Sequence, residues 1–140
     1  MAWSSLPPMP TERQSLAVAA SGGVLYVAGG YTTSARTDVL EALSIATSTG
    51  ATLPPMPETR DGIQCAIIGD VLFIAGGYLT AKSDKLEAYD IPTSAWSDLP
   101  PLPSAVEGHA VTAAGNVFLV AGGTSEPTNT ITDELHGYDV

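Results

Sequence analysis

The chain of 140 residues holds one cysteine, Cys65, and only five lysines and arginines against fifteen acidic residues. A single thiol excludes a disulfide within the chain and any thiol-rich metal site. Its neighbours, Ala66-Ile67-Ile68, suit a buried inert thiol better than a nucleophile. The shortage of basic residues leaves a net charge of −10, which repels phosphate backbones and anionic bilayers and so argues against nucleic acid or a membrane as partner. Solubility or a saline source accounts for that acidity, with a cationic ligand as the alternative. No run reaches membrane-spanning length, and Met1-Ala2-Trp3-Ser4 lacks a basic segment followed by an apolar one. The expectation is a soluble, cytoplasmic protein. Helical spacing of apolar residues is missing throughout.

Catalytic patterns are equally sparse. Only His109 and His136 are present, and neither stands near a Gly-x-Ser-x-Gly motif. Two histidines in separate elements, without spaced carboxylates or thiols, do not make a transition-metal site. The Gly-Gly pairs end strands instead of opening helices, so a phosphate loop is excluded as well. No cofactor, metal or catalytic residue is assigned.

What the chain does have is a recurrence. Leu6-Pro7-Pro8-Met9-Pro10 returns as Leu53-Pro54-Pro55-Met56-Pro57 and as Leu99-Pro100-Pro101-Leu102-Pro103, at offsets of 47 and 46 residues. Each copy is followed at one distance by Ala28-Gly29-Gly30, Ala75-Gly76-Gly77 or Ala121-Gly122-Gly123. A period of this length means stacked or radially arranged units. Within a unit, two small or apolar runs such as Leu16 to Ala20 and Val24 to Ala28 flank a glycine turn and read as a hairpin covered on both faces. A polar loop follows: Tyr31 to Thr37, Tyr78 to Ser83, or the longer Thr124 to Thr132. A third strand of alternating character comes next, over Val39 to Ile45, Leu86 to Ile91 and Leu135 to Val140, and its alternation predicts a position closer to solvent. A short fourth strand around Trp96 to Leu99 leads into the next proline segment. Four short antiparallel strands per unit predict an all-β propeller blade.

These residues resemble the Kelch repeat: a glycine pair ending the second strand, an aromatic in the third (Tyr89, Tyr138), and a tryptophan in the fourth (Trp3, Trp96) before Leu-Pro-Pro. The units run over about 3–49, 50–95 and 96–140. Gly50 stands where the pattern has tryptophan, Leu43 where it has tyrosine, and Val106 where Arg13 and Arg60 recur.

Propellers close with about four to eight blades, and three blades leave apolar faces and strand edges in water. The expectation is a homodimer forming one six-bladed ring. Residues 2–6 read as a fourth strand without its third, and Leu135 to Val140 as a third without its fourth. Trp3 and Leu6 of one copy therefore complete the Leu135 and Tyr138 blade of the other. Such boundaries fit gene fission or an engineered protein.

On the long-loop face, Arg13 and Arg60 form either an anion-binding cluster or pairs with Glu12, Asp61 or a neighbouring loop. Tyr31, Tyr78, Arg36 and Lys82 lie on the other loop of that face, the default surface for a protein or peptide ligand. The loop with Glu126 and Pro127 is a candidate specificity element. The resemblance implies a non-enzymatic interaction scaffold. It also implies an alternative, a sugar-active enzyme of the sialic acid mutarotase type using Glu107, His109 and Arg60; galactose oxidase needs a copper set of tyrosines and histidines that this sequence lacks.

Overall fold

In the computed structural model, which describes residues 1–140, every regular element is a strand. The first blade is β1 (Ala17–Ser21), β2 (Val24–Ala28), β3 (Leu40–Ser44) and β4 (Thr49–Leu53), antiparallel in that order. The second repeats it with β5 (Gln64–Ile68), β6 (Val71–Ala75), β7 (Leu86–Asp90) and β8 (Ala95–Leu99). Next come β9 (Val106–Glu107), β10 (Ala110–Ala114), β11 (Val117–Ala121), β12 (Thr124–Ser125), β13 (Thr130–Ile131) and β14 (Leu135–Asp139). The third blade has three strands, β10-β11-β14, while β13-β12-β9 form a separate small sheet. The hairpins close because their turns hold Gly22, Gly23, Gly69 and Gly115 at φ of 58°, 78°, 59° and 60°, where side chains clash.

The cores lie between blades. One cluster joins Tyr26, Ala28 and Leu40 of the first blade to Met56, Leu72, Ile74 and Tyr89. The other joins Phe73, Ala75 and Leu86 of the second to Leu102, Phe118 and Val120. β5 packs between β1 and β10, so first strands neighbour one another. The fourth residue of the proline motif wedges each seam: Met56 is buried in the first and Leu102 in the second.

Three expectations are corrected. The third strand is near solvent only in the last blade, where β14 has no buried residue; four of the five residues of β7 are buried, because a neighbouring blade covers each face. First strands are not uniformly covered either. β5 has no exposed residue, whereas β1 and β10 alternate exposed residues with buried or half-buried ones, since each outer blade has a neighbour on one side only. Thr124 to Thr132 is not a plain loop but carries β12 and β13, paired to each other and to β9.

The same backbone bonds stitch successive blades. Met56 N–H donates to Asp38 O at 2.8 Å and Gly30 N–H to Arg60 O at 2.9 Å; in the next seam Leu102 N–H reaches Asp84 O at 2.7 Å and Gly77 N–H reaches Val106 O at 2.8 Å. Glycine is required there: a Cβ on Gly29 would lie 2.7 Å from Arg60 O, and one on Gly76 would lie 2.8 Å from Val106 O.

Arg13 and Arg60 secure the strand ends beside those glycines. Arg13 donates to Gly29 O (2.8 Å), Val39 O (3.0 Å) and Glu41 Oε2 (2.6 Å), and Arg60 to Gly76 O (2.9 Å) and Glu87 Oε2. All four side chains are buried. Burial pushes the Glu87 carboxyl up and the Arg60 guanidinium down, each opposed by the partner's charge. The third blade carries Val106 and His136 at the equivalent positions, so both members of the pair are replaced together. Removing one buried partner strands the other, whereas removing both is tolerated far better. Arg60→Met is expected to cost about 3–5 kcal/mol, and Arg60→Met with Glu87→Leu to recover most of it. Urea unfolding of the two variants checks this; equal losses would contradict it.

Candidate functional site

The loops that enter the first strands meet the loops that leave the glycine pairs at one end of the sheets. In the first blade Gln14 bridges Tyr31, which bridges Arg36; in the second Asp61 bridges Tyr78, which bridges Lys82. The third blade extends the same lacing into its small sheet, where Glu107 pairs with Thr124 and Thr124 with Ile131. Gln14, Asp61 and Glu107 are thus equivalent residues around one rim, as are Tyr31, Tyr78 and Thr124.

Arg36 ties the first two blades together on this rim. Its guanidinium carbon lies 4.7 Å from the centre of the Tyr78 ring and 5.7 Å from that of Tyr31, and its Nε donates to Asp61 Oδ1 at 2.5 Å. The Arg36 and Asp61 side chains are each partly exposed, so cation, ring faces and carboxylate present one amphipathic patch. Lys82 is nearly buried, donating to Asn129 Oδ1, with Glu126 at 3.6 Å and Glu107 at 3.9 Å. It fastens the small sheet to the second blade instead of projecting from it.

The remaining candidates fall elsewhere. Arg13 and Arg60 face neither Glu12 nor Asp61 but are held under the rim by Glu41 and Glu87, leaving no exposed guanidinium for an anion. The two glutamates went unrecognised in the sequence. Their signal was there: a Leu-Glu-Ala step, Leu40-Glu41-Ala42 and Leu86-Glu87-Ala88, opens the third strand of the two units that keep the arginine and is absent from the one that lost it. His136 sits beside Glu134 at 3.3 Å, and the hydrogen bond from Ser104, then that of His136, holds the Glu134 carboxyl below its ordinary value. Trp3 and Leu6 are exposed, Trp3 fully, as is Leu135, while Tyr138 packs against the core between the second and third blades. Burial pushes the Cys65 thiol up to about 12. No group of three or more His, Cys, Asp or Glu side chains converges as a metal site, and no helix is long and apolar enough to cross a membrane.

His109 occupies the position of Leu16 and Ile63 and is 3% exposed. Its Nε2 lies 3.2 Å from Ala75 O and its Nδ1 has no partner. Burial therefore lowers its pKa. A histidine depressed below its ordinary value of about 6.5 supports the fold above that pH and opposes it as pH falls, since protonation then favours the unfolded chain. His109→Leu, which copies the other blades, is expected to weaken the loss of stability between pH 7 and pH 5. Melting curves across that range check it; an unchanged slope would count against it.

The description "Kelch motif" matches residues 12–57 and again 59–103. No curated protein matches the chain. The two matched stretches cover more than half of the chain and correspond to the two four-stranded sheets with their glycine pairs, and the protein belongs to the Kelch-repeat family.

Proposed function

We propose that two copies of this chain close into one six-bladed ring that acts as a binding scaffold for a protein or peptide on the rim of Tyr31, Arg36, Asp61 and Tyr78. The observation that carries the reading is the inter-blade seam, which runs out at both ends. Met9 N–H, Arg13 N–H and Arg13 O are the counterparts of the groups used by Met56, Arg60, Leu102 and Val106, yet no backbone bond within the chain uses them. On the third blade, Asp133 O, Thr132 O and Gly123 N–H are likewise unused counterparts of Asp38 O, Thr37 O and Gly30 N–H. The two sets match donor for acceptor, so a head-to-tail seam between copies needs no new chemistry.

The outer strand supports the same reading. In the second blade Tyr89 pairs with Trp96 and Leu86 with Leu99; the rings lie 5.0 Å apart and Trp96 Nε1 donates to Pro54 O at 3.0 Å. Residues 2–6 carry Trp3 and Leu6 at the same spacing, and β14 offers Tyr138 and Leu135 in the same order. A cleft lined by Pro100, Pro101, Phe118, Leu135 and Tyr138 lies where that strand would sit. Trp3 is then the ring's counterpart of Trp96, with Pro100 O as acceptor. Burying a tryptophan removes about 150–250 Å² from water, an upper value of roughly 4–6 kcal/mol per junction.

The enzyme alternative gains nothing from the geometry, since Arg60 and His109 are buried within the packing. Sedimentation equilibrium is expected to give twice the mass of one chain, and Trp3→Ala to shift it toward a lone subunit or an aggregate; a compact soluble monomer at working concentration overturns the ring. For the rim, Tyr78→Ala is expected to weaken binding of peptides selected on the assembled protein by at least about tenfold, with the assembled mass kept in sedimentation. Retained binding would move the site elsewhere.

A further inference from the structure

We infer that the first blade carries a vacant binding site for a bicyclic aromatic ring bearing an N–H donor, an indole or a close analogue. Two blades of one chain differ at this place. In the second, the column Leu72, Tyr89 and Trp96 runs across neighbouring strands, and the indole is clasped between the Tyr89 ring and the preceding proline motif. In the first, the same column reads Leu25, Leu43 and Gly50. Both rings are gone while the strands, their register and the proline motif remain.

The structure holds a cleft where they would be. It measures about 180 Å³ and is lined mainly by Pro7, Pro10, Leu25, Leu43, Ile45 and Gly50. An apolar cavity of about 150 Å³ stays dry and takes up a ligand the size of benzene, so this one has room for a larger ring. The Pro7 carbonyl is the counterpart of Pro54 O, the acceptor of the Trp96 N–H, and takes no backbone hydrogen bond. One donor on the ring's edge therefore has a ready acceptor, and the apolar walls take its faces. Its lining comes from the first blade and from the Leu6 to Pro10 segment of the same chain.

The probe is indole, titrated into the full chain and followed by amide NMR shifts. Saturable shifts centred on Leu25, Leu43 and Gly50 are expected. Naphthalene, which has the shape without the donor, should bind more weakly by up to about tenfold, the worth of one neutral hydrogen bond. Leu43→Tyr restores the ring that clasps the indole in the second blade and should raise indole affinity, whereas Gly50→Trp fills the cleft and should abolish binding and raise the melting temperature. A Cβ at Gly50 would lie 3.1 Å from Pro10 Cγ, so Gly50→Trp needs that ring to yield by a few tenths of an ångström; if it fails to fold, Leu43→Tyr decides. Shifts that do not saturate, or an indole affinity that falls or stays unchanged in Leu43→Tyr, overturn the site. Binding that appears only in Trp3→Ala also overturns it, because the chain's own tryptophan is then the occupant.

Discussion

A sheet whose two faces are both apolar has to be covered on both, and that requirement organises this chain. The second blade meets it. Its second and third strands are enclosed, with Leu72, Ile74, Glu87 and Tyr89 fully buried. The outer blades carry the same kind of residues but have one neighbour each, so Val18 and Leu135 stand in water at 49% and 68%. Apolar burial at roughly 25 cal/mol per Å² favours covering these faces.

A buried arginine and glutamate recur in the first two blades. A strand that ends on two left-handed glycines leaves Gly29 O without a backbone donor, and Arg13 Nη1 reaches it together with Val39 O, which also accepts from Gly29 N–H. The carboxylate of Glu41 or Glu87 then neutralises the buried cation. In the first blade Thr11 donates to the second Glu41 oxygen at 2.7 Å. The second blade has Glu58 at that place, which cannot donate and instead pairs with Lys85 at 2.7 Å, so Glu87 Oε1 is left without a partner.

The departures from the repeat gather at the outer blades. The first lacks its tyrosine and tryptophan, and the third lacks its ion pair and holds His109 where the others hold an aliphatic side chain. The third also turns single bridges into a three-stranded sheet clamped by Lys82. The middle blade keeps every element of the pattern, and it is the one with no free face.

Hairpins, their glycine turns and the order of strands were legible in the sequence, because alternation and turn chemistry are local and the motif recurred three times. So were the departures at Leu43, Gly50 and Val106. Burial was not: β7 alternates in polarity like a strand at the surface, and only the blade beside it puts Glu87 out of water. Nor were the partners of Arg13 and Arg60, which lie 28 and 27 residues away in sequence and are chosen by strand register. Local periodicity settles which segments become strands; which of their charged side chains meet, and which faces stay bare, depends on distances that exist only once the sheets are stacked.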